Sequence, residues 1–142
     1  MNFEKSLKNS RLVGIDTNIF IYHFANHPEF ILQTKILFNL LQKSKIKAVT
    51  SMVTLTELLS LPGPPKILRN LEEAFFTIPN LTISEVDRQI AKEAGRVRRI
   101  YGFRTPDSIQ LATALTSKAN KFITNDRRLK NFREIKIELL AK

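Results

Sequence analysis

Four carboxylates stand in this sequence at places where solubility alone does not require them. Asp16 closes the apolar run Leu12-Val-Gly-Ile15, and Asp126 follows Phe122-Ile-Thr124 across Asn125. Asp107 lies in Thr105-Pro-Asp107, and Glu57 sits in Val53-Thr-Leu-Thr-Glu-Leu-Leu59, a segment with no other charge. Each has an ordinary explanation. An aspartate after a strand makes a turn or caps a helix. Thr105 reads as an N-cap with Pro106 as first helical residue, which leaves Asp107 in the positive end of the helix dipole. Glu57 reads as a solvated helix position. Yet only four aspartates occur in the chain, and three of them stand where apolar elements end or begin. Carboxylates that converge from such places form a hard-oxygen donor set of the kind Mg2+ and Mn2+ prefer.

Other chemistries find less support. Without cysteine there are no disulfides, thiolate ligands, iron-sulfur clusters or cysteine nucleophiles. The four glycines form no loop followed by Lys-Ser or Lys-Thr that could cradle a nucleotide's phosphates. His23 and His27 are four apart, a zinc-compatible spacing, but no glutamate follows His23 as a His-Glu-x-x-His motif requires. Asp16-Thr-Asn18 lacks the second aspartate expected of a phosphoaspartate-forming hydrolase. The chain carries 23 Lys+Arg against 13 Asp+Glu, a net +10. A field of that sign draws polyanions, so nucleic acid leads as partner class, with a merely solvating surface as the alternative.

The elements that must position the acids are short. Residues 12–15, 47–50, 81–83, 121–124 and 135–139 read as strands, the last an edge strand because it alternates apolar and polar. Helices are expected after Asp16, with Thr17 or Asn18 as cap, then over 29–43, from a Ser51 cap through Glu57, and over 66–76, 85–101 and 106–118. Leu61-Pro-Gly-Pro-Pro65 must break the chain locally without dividing the domain. Strands alternating with helices predict an α/β fold with a mainly parallel sheet covered on both faces, and ligands then sit at the carboxyl ends of the strands. On the helix over 85–101, Arg88, Lys92, Arg96 and Arg99 face away from Val86, Ile90, Ala94, Val97 and Tyr101, as a solvated face or a phosphate-contacting stripe. A length of 142 residues suits one domain, 1–142 with its core at about 11–140. Neither a leader nor a membrane span is expected.

Asp16-Thr-Asn-Ile-Phe-Ile-Tyr22, Thr56-Glu57-Leu58, Thr105-Pro-Asp-Ser-Ile-Gln-Leu-Ala-Thr-Ala114 and Thr124-Asn-Asp-Arg-Arg128 resemble, in order and spacing, the four successive motifs of PIN-domain proteins. Among these, the likeness is to VapC-type toxin ribonucleases of toxin-antitoxin pairs, and it covers about residues 11 to 140. The resemblance implies a three-layer α/β/α sandwich around a mainly parallel five-stranded sheet. It implies that Asp16, Glu57, Asp107 and Asp126 are catalytic, metal-site acids, supported by Thr124 and Asn18. It further implies Mg2+ or Mn2+ as cofactor, RNA as substrate, an antitoxin protein as partner, a homodimer and a cytoplasmic location. Arg104, Arg127 and Arg128 neighbour the motif acids and are the candidates for RNA contact. The alternatives are a housekeeping PIN nuclease in RNA maturation and a non-catalytic nucleic-acid-binding module. Loss of a motif acid, the expected mark of the latter, is absent.

Overall fold

A computed structural model of the chain describes residues 2–140. Of the expected 1–142 span, Met1, Ala141 and Lys142 lie outside the described residues. Five strands form one sheet: β1 (Leu12–Ile15), β2 (Lys47–Ser51), β3 (Leu81–Ser84), β4 (Lys121–Thr124) and β5 (Lys136–Leu139), in the order β3-β2-β1-β4-β5. All four neighbouring pairs are parallel. All five strands lie within a residue of their expected spans, and β5 is an edge strand. From β1 the chain builds outward to β2 and β3, then returns to place β4 on the other side of β1. The order therefore reverses at β1, where crevices open beyond the strand ends in such sheets.

Among the described residues seven α-helices surround the sheet: α1 (Phe3–Lys8), α2 (Thr17–Phe24), α3 (Ile31–Gln42), α4 (Val53–Leu59), α5 (Pro65–Phe76), α6 (Arg88–Tyr101) and α7 (Thr105–Thr116). Alternation along the strands separates two cores. Val13, Ile15, Ala48 and Ile123 turn to one face, against Ile19, Phe20, Leu37, Leu41, Leu58 and Phe75. Phe122 turns to the other, with Val97, Leu111, Ala114 and Leu129. The result is the expected α/β/α sandwich. Gly14 permits a close approach, since a Cβ there would stand 2.8 Å from Phe122 and 2.9 Å from Ala114. That glycine lets α7 lie close on β1 and carries Asp107 towards the end of the strand.

Several boundaries differ from the sequence expectation for physical reasons. The cap of α2 is Asp16, not Thr17 or Asn18, because the Asp16 carboxylate itself accepts the Thr17 N–H at 2.9 Å. Helix α7 begins one residue early, with Arg104 at its cap and Thr105 as a helical residue making no cap bond. Asp87 caps α6 by accepting the Ile90 N–H at 2.8 Å, so the helix begins at Arg88, and Val86 lies before it and exposed. The cap of α4 is Met52, not Ser51, because β2 runs on through Ser51; the Ser51 hydroxyl nevertheless accepts the Val53 N–H at 3.1 Å. Two elements are not expected from the sequence, α1 and a 3-10 helix over Arg127–Asn131. Helix α1 is the longer. It buries Leu7 fully and anchors Ser6 beside the buried Lys121, whose ammonium donates to Ser6 Oγ at 2.7 Å and to Glu138 Oε1 at 2.9 Å. Among the described residues no helix is long and apolar enough to cross a membrane.

Candidate active site

Beyond the ends of β1 and β4 lies a cleft of about 370 Å3, lined by Asp16, Asn18, Glu57, Arg104, Asp107 and Asp126. All four acids singled out from the sequence thus reach one hollow, from four elements. Asp16 follows β1, and Asp126 follows β4 and caps a short 3-10 helix, Arg127–Asn131. Glu57 projects from α4 and Asp107 from the first turn of α7.

Asp16 is buried, and both carboxylate oxygens are held. Oδ1 accepts the Thr17 N–H at 2.9 Å, and Oδ2 accepts the Thr124 hydroxyl at 2.7 Å. Thr124 in turn accepts the Asp126 N–H at 3.0 Å, so one hydroxyl sets the spacing of two acids. Loss of water around the buried carboxyl pushes the Asp16 pKa up to about 7, against the pull of its two hydrogen bonds. The charges of Asp107 and Glu57 push in the same direction as burial. Asp126 behaves oppositely: hydrogen bonds from Arg128 hold its carboxyl below the usual range.

Glu57 is fixed by Thr17, whose hydroxyl donates to Oε1 at 2.6 Å. Behind Thr17 lies a buried polar network that sequence reasoning missed. Gln110 Nε2 donates to Thr54 Oγ1 at 2.7 Å and to Thr17 Oγ1 at 3.1 Å, while its carbonyl accepts the Ser51 N–H at 3.3 Å. Thr50 places its proton on the Ile15 carbonyl at 2.8 Å, which makes Thr54 the donor in the 2.8 Å contact between the two hydroxyls. The signal was present in the sequence as a lone amide in the apolar face of α7. A glutamine buried there requires partners.

A family model for the PIN domain matches residues 13–135. The chain belongs to the PIN-domain family. Solved structures resemble it over most of its length. A chain of the VapBC2 complex from Rickettsia felis, bound to promoter DNA, is 18% identical with a TM-score of 0.71, over 92% of this chain and 99% of that one. One from DNA-bound VapBC of Salmonella typhimurium is 24% identical with a TM-score of 0.68, over 91% and 97%. Another, from a toxin-antitoxin complex of Klebsiella pneumoniae, is 22% identical with a TM-score of 0.64, over 89% and 95%. No curated protein matches.

The basic residues of this PIN domain divide by position. Arg104 lines the cleft with its Nε 3.3 Å from Asp107 Oδ2. Arg128 grips Asp126 with two hydrogen bonds, Nε to Oδ1 at 3.0 Å and a terminal nitrogen to Oδ2 at 2.5 Å, and the same nitrogen lies 3.8 Å from Asp107. Arg127 is exposed beside them. Along α6, Arg88, Lys92, Arg96 and Arg99 line a wider surface hollow of about 740 Å3, but Arg96 is committed to Glu93 and Glu134, each at 2.6 Å. His23 lies 3.2 Å from Thr34 Oγ1 and packs against Phe38, while His27 packs on Tyr22 and Phe30.

The donor chemistry of the cleft suits a hard divalent cation: four carboxylates, one of them crowded and pushed towards protonation. As they stand, however, no three acidic or histidine side chains among the described residues are arranged to hold an ion. Two of the four are engaged by Arg128.

Proposed function

We propose that this PIN domain, taken over residues 1–142, is a Mg2+- or Mn2+-dependent endoribonuclease that hydrolyses RNA phosphodiesters, and that it is the toxin of a toxin-antitoxin pair. The observation that carries the catalytic reading is Asp16. A carboxylate buried at the reversal point of the sheet, beside two further acids, is unfavourable unless a cation or a proton relieves it. A fold with no use for a cation there would be expected to place an amide or a hydroxyl at that position.

Asp16, Asp107, Asp126 and Glu57 would hold the metal, which when bound supplies a water nucleophile near neutral pH and charge to stabilise the phosphate. The remaining work belongs to the chain's own side chains. Thr17 and Thr124 fix both oxygens of Asp16, and Gln110 holds Thr17, which orients Glu57. Asn18 lies at the cleft wall beside the first acid. Arg104 lines the cleft and Arg128 contacts two of its acids; their guanidinium groups, with that of the exposed Arg127, would take the phosphates of a single strand.

The toxin assignment rests on the motifs together with the fold neighbours, which occur in toxin-antitoxin complexes. An antitoxin protein is therefore the proposed partner, and a homodimer in the cytoplasm belongs to the same reading. The deciding experiment is purified protein incubated with total RNA, with Mn2+ or with EDTA, beside Asp16→Asn. Cleavage is expected only in the wild type with metal, leaving 5′-phosphate and 3′-hydroxyl ends. Cleavage that persists in EDTA and leaves 2′,3′-cyclic phosphate would show that the RNA 2′-hydroxyl is the nucleophile and overturn the reading.

A further inference from the structure

We propose that Arg128 is a resident counter-cation of the cleft, which competes with the divalent ion for Asp126 and Asp107 and so sets the metal concentration at which the site fills. The inference rests on the metal-site reading above and adds a role for a side chain of this chain.

The geometry of the contact supports it. Arg128 does not merely lie near an acid. It closes a two-pronged bond on both oxygens of Asp126, and the nitrogen on Oδ2 also faces Asp107 at 3.8 Å. The backbone locks the arrangement, since the Arg128 N–H donates to Asp126 Oδ1 at 3.0 Å within the same turn. The fork and the Arg128 N–H together occupy three of the roughly four lone-pair sites of the Asp126 carboxylate, both on Oδ1 and one on Oδ2, so a metal ion meets a largely taken ligand beside a fixed positive charge and competes with the guanidinium for it. The guanidinium also delivers positive charge to the part of the cleft where it is wanted, beside the crowded Asp16. Its side chain is 61% exposed and lies on the surface of the 3-10 turn, so it can swing out to solvent without disturbing the core. Arg127, one residue earlier, carries the same charge on the same turn and makes no such fork, which provides an internal control.

The test is direct binding of Mn2+, followed by the electron paramagnetic resonance of the free ion at constant ionic strength, to wild type, Arg128→Ala, Arg127→Ala and Asp16→Asn. Removing the competitor should tighten Mn2+ binding about fivefold or more in Arg128→Ala, the scale of a solvent-exposed charged hydrogen-bonded pair. With that ionic strength set at about 0.5 M, Arg127→Ala should stay within about twofold of wild type, because the field of an exposed charge that makes no direct contact is then largely screened. In parallel, the Arg128 side-chain Nε–H signal, assigned by its loss in Arg128→Ala, should exchange with solvent faster when wild type is saturated with Mg2+. Equal tightening in both arginine variants, or an Nε–H signal unchanged at saturation, overturns the competition while leaving the metal site intact. Mn2+ binding to wild type that Asp16→Asn does not weaken, or no binding to any of the four proteins, overturns the metal-site reading and this proposal with it.

Discussion

Thr124 gives its hydroxyl proton to Asp16 at 2.7 Å and takes the Asp126 amide proton at 3.0 Å, so a residue that carries no charge joins the ends of the two central strands. Replacing it with valine keeps the shape and removes both bonds. Thr124→Val should lose about 1–3 kcal/mol of stability, because the Asp126 N–H and the Asp16 carboxylate each lose a partner. RNA cleavage should fall roughly tenfold or more, and Thr124→Ser should recover most of both losses. Urea unfolding and a fluorescent RNA assay on the two variants check this.

The raised Asp16 pKa has a definite sign in stability. The unfolded carboxyl titrates near 3.8 and the folded one near 7, so between these values the folded protein binds more protons than the unfolded chain. Stability contributed by the protonated folded group is therefore lost as pH rises from about 4 to about 7, by a few kcal/mol. Asp126, with its carboxyl lowered by Arg128, works the other way and loses its contribution only below the ordinary carboxylate range. In EDTA, the urea midpoint of wild type should fall across that window while that of Asp16→Asn stays flatter. Parallel curves for the two proteins would mean Asp16 titrates normally.

Metal should reverse that loss. At about a hundred times its dissociation constant, Mg2+ or Mn2+ adds roughly 2.7 kcal/mol to unfolding provided the unfolded chain does not bind it. Thermal melts at pH 7.5 and constant ionic strength should show wild type rising with Mn2+ and Asp16→Asn rising much less. An equal rise in both would indicate screening or binding elsewhere.

Gln110 acts through Thr17 and Thr54 without reaching the cleft, so its removal should separate positioning from chemistry. Gln110→Leu leaves the Ser51 N–H without its acceptor and frees Thr17 to rotate away from Glu57. The expected result is a fall in cleavage rate with RNA affinity unchanged, measured by single-turnover kinetics across RNA concentrations. A fall in affinity alone would place Gln110 in substrate binding instead.

Arg127 and Arg128 together should report on the RNA path. With both replaced by alanine, RNA binding should weaken and the slope of log affinity against log salt should flatten by roughly one to two units, as expected for the loss of two phosphate contacts on a single strand. An unchanged slope would move the RNA path to the α6 face, where Arg88, Lys92 and Arg99 line the wider hollow.

Much of this architecture could be read directly from the chain because its strands are short apolar runs with an acid at the end. Leu12–Ile15 before Asp16 and Lys121–Thr124 before Asp126 mark both the sheet and the site, since a strand that ends in a carboxylate carries that carboxylate to the sheet's edge. What the chain concealed depends on contacts far apart in sequence. Helix α1 has only six residues, and its place follows from Leu7 in the core and from Ser6 meeting Lys121 and Glu138. Gln110 looked like one polar residue in an apolar helix, and its partners come from α2, α4 and β2. The Arg128 fork is local, yet whether an arginine two residues from an aspartate folds back on it depends on the 3-10 turn, which leaves no periodic signal in sequence.

The strand order also governs when the cleft comes into being. Asp16 meets its Thr124 partner across 108 residues, and β4 must slot in beside β1 before that contact exists. A ribosome adding about 5–20 residues per second takes several seconds or more to cover that distance. Throughout that interval β1, β2 and β3 can associate while one side of β1 stays unpaired and Asp126 has yet to be made. The acids therefore gather only after Asp126 has been made and β4 has paired with β1, and until then the growing chain has no assembled cleft.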